Sequence, residues 1–295
     1  AAPDKNQVGE PDAQIEVRLR AGWIDAASRS MRSMLGSDES IDAGSPGLGA
    51  RFGGLQAGGL LAFLSTAILG QYDPFTAGSD ASDPGVLMLV APNIIAVERA
   101  LKVVPSDFRY WVCLHEVTHR VQFSANPWLR QYMLDNIAVL TSDAGESVTD
   151  VVARINSAVR GRAKREKGVI GVMQMLQTPE QYEAFTRMMM LGTLLEGHAD
   201  VVMDDVGPQV VPSVEQIRAK FDRRRQGRGQ LDRLLRRLLG LEAKMRQYRD
   251  GAVFCRAVQD HVGVDGFNQI WTSPETLPKA REITEPQLWL QRVHG

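Results

Sequence analysis

The sequence predicts a mostly α-helical protein with a minor sheet. From Asn93 to about Asp260 the pattern is nearly all helical. Val86-Leu87-Met88-Leu89-Val90 is a short apolar run bounded by Pro84 and Pro92, which makes it the strand candidate. No internal repeat interrupts this pattern. These observations favour an α+β protein in which helices supply most of the core.

The N-terminal third predicts two helices joined by loops. Residues 15–35 have the pattern of an amphipathic helix, and a Gly/Ser/Pro-rich loop follows over residues 36–49. Residues 54–69 predict a buried helix with small residues for close packing. Its apolar part is shorter than the roughly 20 residues that a membrane-spanning helix needs. A loop through Asp73-Pro74 and residues 78–85 then leads to the strand candidate.

The helix over residues 108–119 carries the most informative motif. Ser106-Asp107 predicts its N-cap, just after Pro105.

At the other end of the chain, residues 263–295 contain three prolines and predict loops and short helices. Burial of Trp271 and Trp289 is expected to pin this segment to the rest of the protein.

His115-Glu116-Val117-Thr118-His119 reads H-E-x-x-H. Histidines four residues apart lie on nearly the same helix face, so both imidazoles can bind one zinc ion. Glu116 is then placed to accept a proton from the water that the zinc activates. The alternative is a helix with two ordinary histidines and a solvated glutamate. The apolar neighbours Phe108, Trp111, Val112 and Leu114 favour a buried helix instead, in which histidines need partners.

A third ligand is expected in the stretch that begins Leu194-Leu195-Glu196-Gly197-His198. This stretch resembles the glutamate-ligand zincins (gluzincins), in which a second helix supplies a glutamate and an aspartate one turn later bonds a zinc-binding histidine. The resemblance implies Glu196 as ligand and Asp200 as the residue that orients a histidine. His198 competes for the ligand role, but lies roughly 200° from Glu196 around a helix. A helix N-terminus that favours acidic residues would also explain Glu196.

The whole chain resembles a zincin-like family of bacterial proteins. Members are labelled zinc-dependent metalloproteases or are associated with biosynthesis of the deazaflavin coenzyme, a label that nothing in these residues supports. The resemblance implies a zincin-like metallopeptidase core with extra helices and one zinc ion per chain. The matching stretches cover nearly the full length: residues 69–75, 90–94, 115–123, 195–204, 248–251 and 271–278.

The family resemblance gives the strand candidate two interpretations. In zincins a strand near the metal lines the cleft and pairs with the backbone of the substrate. Val86–Val90 precedes the metal helix in the chain, as such a strand would. An ordinary core strand is the alternative. The 295 residues form either a single domain over 1–295 or two lobes around the metal cleft.

Composition restricts the compartment and the partners. A hydrophobic content of 44% and a formal net charge of -1 are typical of a soluble protein with no overall attraction to nucleic acid or membrane. Cys113 and Cys255 predict free thiols, and the N-terminus lacks the blocks of a signal peptide, so we expect a cytoplasmic protein. Arg218 to Arg237 is strongly basic. It lacks interleaved aromatic residues, so a solvated helix face is expected rather than nucleic-acid binding.

The predicted function is a zinc-dependent hydrolase, with Glu116 as general base and peptide amide hydrolysis as the default reaction. Tyr248 and Arg249 are the first candidates for contacts to substrate or oxyanion, followed by His198 and His261. Two alternatives stay open. One is an amidase or hydrolase of a small metabolite, and the other is a non-catalytic helical interaction protein stabilised by zinc. The sequence does not indicate an oligomeric state.

Overall fold

The computed structural model is mostly helical with one three-stranded sheet, which confirms the predicted fold class. It describes residues 15–34, 58–59, 61–75, 85–142, 178–226 and 241–295. The strands are β1 Ile15–Arg18, β2 Gly70–Asp73 and β3 Val86–Val90. The helices are α1 Arg20–Met34, α2 Ala91–Leu101, α3 Pro105–Ala125, α4 Trp128–Thr141, α5 Pro179–Val210, α6 Val214–Gln226, α7 Leu241–Phe267, α8 Ala280–Thr284 and α9 Pro286–His294. None of these helices has the length and apolar character needed to cross a membrane.

The chain divides into two compact units. The first comprises residues 1–130 and 206–218, and the second comprises residues 131–205 and 219–295. Within its described part, the first unit contains the sheet with helices α1, α2 and α3. The second contains most of α5 and the whole of α7, α8 and α9.

The sheet in the first unit has the order β1-β3-β2, so β3 is its central strand. β3 pairs in parallel with β1 and antiparallel with β2. The predicted strand at Val86–Val90 is therefore confirmed. Because it is hydrogen-bonded on both sides, it has no open edge for a substrate, and the interpretation as an ordinary core strand holds.

The prediction of one helix over residues 15–35 is wrong at its beginning. Ile15–Arg18 is the strand β1, and helix α1 starts only at Arg20. The segment alternates apolar and charged residues, with two β-branched residues two positions apart, which suits a strand paired with β3. The apolar residues of this segment adjoin the apolar pattern of α1, but they repeat every two residues, whereas the residues on one face of a helix repeat every 3.6.

Strand β2 falls where the sequence predicts a loop. Its four residues pair in register with Val86–Leu89, and Leu69 O accepts a hydrogen bond of 2.8 Å from Val90 N–H. A glycine followed by three polar or aromatic residues gives no alternating signal. This strand forms because β3 offers a complete edge of backbone groups, not because its own residues favour a strand.

The predicted buried helix at residues 54–69 is half-buried and shorter. In its described part it is helical at residues 58–59 and 61–64 and then forms turns; residues 54–57 lie outside the described residues. Leu61, Leu64 and Ile68 pack against the core cluster around Trp23 and Met88. On the other side Phe63 is 41% exposed.

Helix α3 begins at Pro105, earlier than predicted. Its N-cap is Val104, without a side-chain cap, and Pro105 occupies the first turn, where a missing N–H costs nothing. The Ser106-Asp107 cap is therefore wrong. The Asp107 carboxylate instead accepts the backbone N–H (3.1 Å) and the hydroxyl (2.6 Å) of Ser213. These hydrogen bonds, the hydroxyl first, hold the pKa of Asp107 below its ordinary value.

A paired arginine and glutamate tie α3 to α2. Arg109 donates to both carboxylate oxygens of Glu98, at 3.0 and 2.8 Å, and Glu98 is only 5% exposed. Such a bidentate geometry fixes both partners in orientation as well as distance. The helix that carries the H-E-x-x-H motif is thus fastened near its N-terminus.

In the second unit, two arginines and a tryptophan connect the secondary-structure elements. Arg187 on α5 donates to Asn136 on α4 at 2.7 Å, and Arg256 on α7 holds Asp205 at 2.9 and 2.6 Å. Trp289 is fully buried, and its indole N–H donates to Thr276 O at 2.7 Å. Short helices and burial of Trp289 are as predicted for the C-terminus. However, α7 continues to Phe267 through a kink at residue 263, where a loop was expected.

Candidate metal centre

The two motif histidines face each other on helix α3. Their Nε2 atoms are 3.2 Å apart, and the rings meet edge to face at 87°. Both are half-buried. The expectation of a buried setting holds best for Phe108 and Val112, which are 0% and 2% exposed. Two imidazole nitrogens converging in this way suit a shared metal ion.

His119 is oriented by a residue that the sequence reasoning missed. Its Nδ1 lies 2.9 Å from Oε1 of Gln122, one turn further along α3, and Gln122 is 3% exposed. An amide oxygen accepts but cannot donate, so Nδ1 carries the hydrogen. The lone pair is then left on Nε2, the nitrogen that faces His115. A polar residue three positions after the second histidine was the signal for this contact.

Glu116 lies on the buried side of α3, only 6% exposed. Strand β2 passes directly over it. A Cβ added to Gly70 would lie 2.6 Å from Glu116 Cγ and 2.8 Å from Oε1, distances that real Cβ atoms essentially never show. Two turns along the same face of α3, the ring of Phe123 meets that of Tyr72, also on β2, at 5.7 Å between centroids. The sequence reasoning did not assign a role to Gly70.

Glu196 completes a group of three possible ligands. Each of His115, His119 and Glu196 offers one ligand atom, and these atoms all lie within 4.8 Å of one another. Glu196 occupies the interior of the 32-residue helix α5, so the interpretation as a helix N-terminus is wrong. Asp200 is one turn further along α5; its role as the orienter of a histidine stays a prediction.

The donor set suits zinc. Two imidazole nitrogens and one carboxylate oxygen are ligands that Zn²⁺ accepts, and three protein ligands leave a further coordination position for water or substrate, as in catalytic sites. Ca²⁺ and Mg²⁺ prefer sites with only oxygen ligands. Among the residues that the structure describes, no second group of this kind occurs.

The profile of the zincin-like metallopeptidase family matches residues 4–290. The chain belongs to this family. A solved structure from Chloroflexus aurantiacus, described as a proposed hydrolase with a novel fold, is also similar. It shares 30% identity over 96% of this chain and 81% of that chain, with a TM-score of 0.62. Comparison with curated proteins gives no match. Membership of this family supports the predicted zinc-dependent type of hydrolase, and the neighbour is itself described as a hydrolase.

His198 in this zincin-like chain packs against aromatic rings. It stacks on Phe267 with 5.4 Å between centroids and meets Trp271 edge to face at 5.4 Å. It does not belong to the group formed by His115, His119 and Glu196. These contacts explain a histidine at this position without a metal.

Close to Glu196, helices α5 and α7 approach each other through glycines. A Cβ on Gly197 would lie 2.3 Å from the carbonyl carbon of Gly251, and a Cβ on Gly251 would lie 2.3 Å from Thr193 O. Only residues without a side chain permit this backbone contact. The contact fixes the rotation of α5 at the residue next to Glu196. It also gives a physical reason for glycine in the family-like stretch at residues 248–251.

The remaining predicted residues are less informative. Tyr248 and Arg249 belong to α7, but their side chains lie outside the described residues. His261 is exposed and lies 3.2 Å from Gln287 Nε2. Most of the basic segment Arg218 to Arg237 also falls outside the described part of the chain.

The two cysteines are free thiols, as predicted. Cys255 is fully buried, and Cys113 is half-buried on α3. Burial, and secondarily the charge of Glu116, raises the pKa of the Cys113 thiol. Burial raises the pKa of Cys255 far more strongly. Both are therefore protonated, unreactive thiols near neutral pH.

Proposed function

We propose that this protein is a metallopeptidase that cleaves peptide amide bonds, with one zinc ion per chain and Glu116 as general base. The observation that carries the proposal is the group formed by His115, His119 and Glu196, with the buried Glu116 next to the first histidine on the same helix. A purely structural zinc site is closed by a fourth protein ligand. The group has three, and the aromatic contacts of His198 argue against its serving as the fourth.

When bound, zinc would polarise the scissile carbonyl and lower the pKa of the attacking water. His115 and His119 would hold the ion through Nε2, with the tautomer of His119 fixed by Gln122. Glu116 would accept the proton of the water at its carboxylate and deliver it to the leaving amine nitrogen. Its burial excludes bulk water, which would otherwise compete for that proton. Tyr248 and Arg249 stay the first candidates for stabilising the oxyanion.

The edge of β2 that faces away from β3 supports a peptide over a small metabolite. In the antiparallel ladder Val90 N–H donates to Leu69 O, and the alternation of the ladder turns the N–H and C=O of Gly70 away from β3. Among the described residues no strand pairs with that side of β2. An extended peptide added there would bind the backbone of Gly70, the residue whose missing Cβ faces Glu116, and backbone hydrogen bonds would provide affinity. The free cysteines further support our expectation of a cytoplasmic enzyme.

The decisive variant is Glu116→Gln, which preserves shape and removes the base. We expect it to keep near one zinc per chain and to lose turnover by about 1000-fold or more. Cleavage of a peptide library, followed by mass spectrometry, measures the turnover. Glu180→Gln makes the same chemical change at an exposed position in the first turn of α5 and serves as the control. Undiminished turnover in Glu116→Gln would rule out the proposed mechanism.

A further inference from the structure

Position 70 has no room for a side chain as long as the side chain of Glu116 keeps its place. The Cβ of any other residue would lie 2.6 Å from Cγ, 2.8 Å from Oε1 and 2.9 Å from Cδ of Glu116. Carbon atoms in contact normally stand about 3.5–4.0 Å apart. The side chain of Glu116 therefore occupies the volume that a residue with a Cβ would need.

The backbone does not explain this glycine. Gly85 and Gly263 have positive φ among the described glycines, but Gly70 does not. Gly70 lies in a strand, a conformation that residues with side chains adopt more readily than glycine does. The close approach to Glu116 is thus the physical reason for glycine at this position.

We propose that Gly70 is a positioning residue for Glu116: its missing side chain gives the carboxylate its place between α3 and the edge strand β2. This inference rests on the proposed role of Glu116 as general base. The atoms that obstruct a Cβ belong to a flexible side chain rather than to backbone. An alanine at position 70 therefore displaces the carboxylate while the fold persists. A displacement of about 1 Å from the reacting atoms can cost about 100-fold in rate.

The first experiment compares Gly70→Ala with wild type on one peptide substrate. We expect zinc content near that of wild type, a kcat lower by about 100-fold and a KM changed by less than about 3-fold. Gly192→Ala is the matched control, because a Cβ on Gly192 meets nothing within 4 Å. A kcat of Gly70→Ala equal to that of the control would overturn the inference.

A double-mutant cycle tests the contact itself, without any substrate. Glu116→Ala removes Cγ, Cδ and Oε1, the three atoms that the new Cβ would meet. We expect Gly70→Ala to lower Tm by about 2–4 °C in the wild-type background and by less than about 1 °C in the Glu116→Ala background. If Gly70→Ala alone fails to fold, recovery of folding in the double variant shows equally that the new Cβ clashes with Glu116.

Equal losses of Tm in both backgrounds would contradict the inference, because the strain would then arise elsewhere. The two experiments also separate this inference from the proposed function. If the wild type cleaves no substrate, or Glu116→Gln cleaves normally, the proposed function fails. The melting cycle still decides whether Gly70 makes room for Glu116.

Discussion

Two close contacts in this protein depend on glycine, and they differ in what presses against the missing side chain. At Gly70 the neighbour is the carboxylate arm of Glu116, whereas at Gly197 and Gly251 it is the backbone of the facing helix. A side chain can rotate away, but two packed helices must separate. Substitution of glycine by alanine adds the same single methyl group at either contact. We therefore expect it to disturb the chemistry at the first contact and the fold at the second.

The largest effect on stability is expected at the helix contact. Gly251→Ala forces a methyl group to within 2.3 Å of Thr193 O, so α5 and α7 must move apart. Overpacking of this kind should lower the free energy of unfolding by about 3 kcal/mol, the upper part of the usual range. Thermal unfolding measures it. If the Tm of Gly251→Ala equals that of wild type, the proposed difference between the two contacts is wrong.

A second variant probes the chemistry around α3 without overpacking it. Gln122→Leu removes the acceptor for His119 Nδ1 while keeping similar volume. We expect zinc affinity to fall by about 10–100-fold, as for other residues that orient a metal-binding histidine. Competition with a chromophoric chelator measures the affinity, and Gln122→Glu, which retains an acceptor oxygen, should bind near the wild-type level. Equal affinities for Leu and Gln at this position would contradict the orienting role.

Acid should weaken the second unit through one carboxylate on α8. Glu282 is 5% exposed, and its burial raises the pKa of the carboxyl. Hydrogen bonds from Arg292 (2.7 and 2.8 Å) and from the Lys279 N–H (2.8 Å) outweigh the effect of burial and hold the pKa below the ordinary value of a glutamate. Because the pKa is lower in the folded protein, the stabilisation by Glu282 is present above the pKa of the unfolded carboxyl and disappears as the pH falls through the folded pKa.

The matched variant for that titration is Glu282→Gln. At pH 7 it should be less stable than wild type by about 1–2 kcal/mol. The difference should narrow progressively below the pKa of the unfolded carboxyl. Urea unfolding across this pH range measures both proteins, and a difference that stays constant down to the most acidic pH would exclude Glu282 as the group responsible.

The smallest effect is expected at a glycine without neighbours. Gly192 lies on the same helix as Gly197, and a Cβ there meets nothing within 4 Å. Gly192→Ala should therefore raise the free energy of unfolding by about 0.5–1 kcal/mol, through helix propensity alone. A substantial loss of stability would show that α5 does not tolerate alanine for reasons other than close contact.

Sequence reasoning reaches those parts of the candidate site that lie within one helix turn or one family-like stretch. His115, Glu116 and His119 follow from spacing alone, and Glu196 from the resemblance to gluzincins. The helical expectation for residues 93–260 also holds across the described helices, because apolar periodicity is a long signal.

What the sequence did not predict depends on contacts between distant segments. β2 has no strand pattern of its own and exists because β3 offers it an edge. Position 70 needs a glycine only because β2 lies over Glu116 in the folded protein. In the same way, Gly197 and Gly251 come into contact only because α5 packs against α7. Gln122 is the exception, since its spacing from His119 was visible in the motif region.

Zinc stoichiometry in matched variants tests whether His115, His119 and Glu196 hold one zinc ion. Elemental mass spectrometry on purified wild type, Glu196→Ala and His198→Ala should find near one zinc per chain in wild type and in His198→Ala, but a large loss in Glu196→Ala. Zinc retained without Glu196 and lost without His198 would contradict the ligand set. No zinc in wild type, even after resupply, would contradict the enzymatic account as a whole.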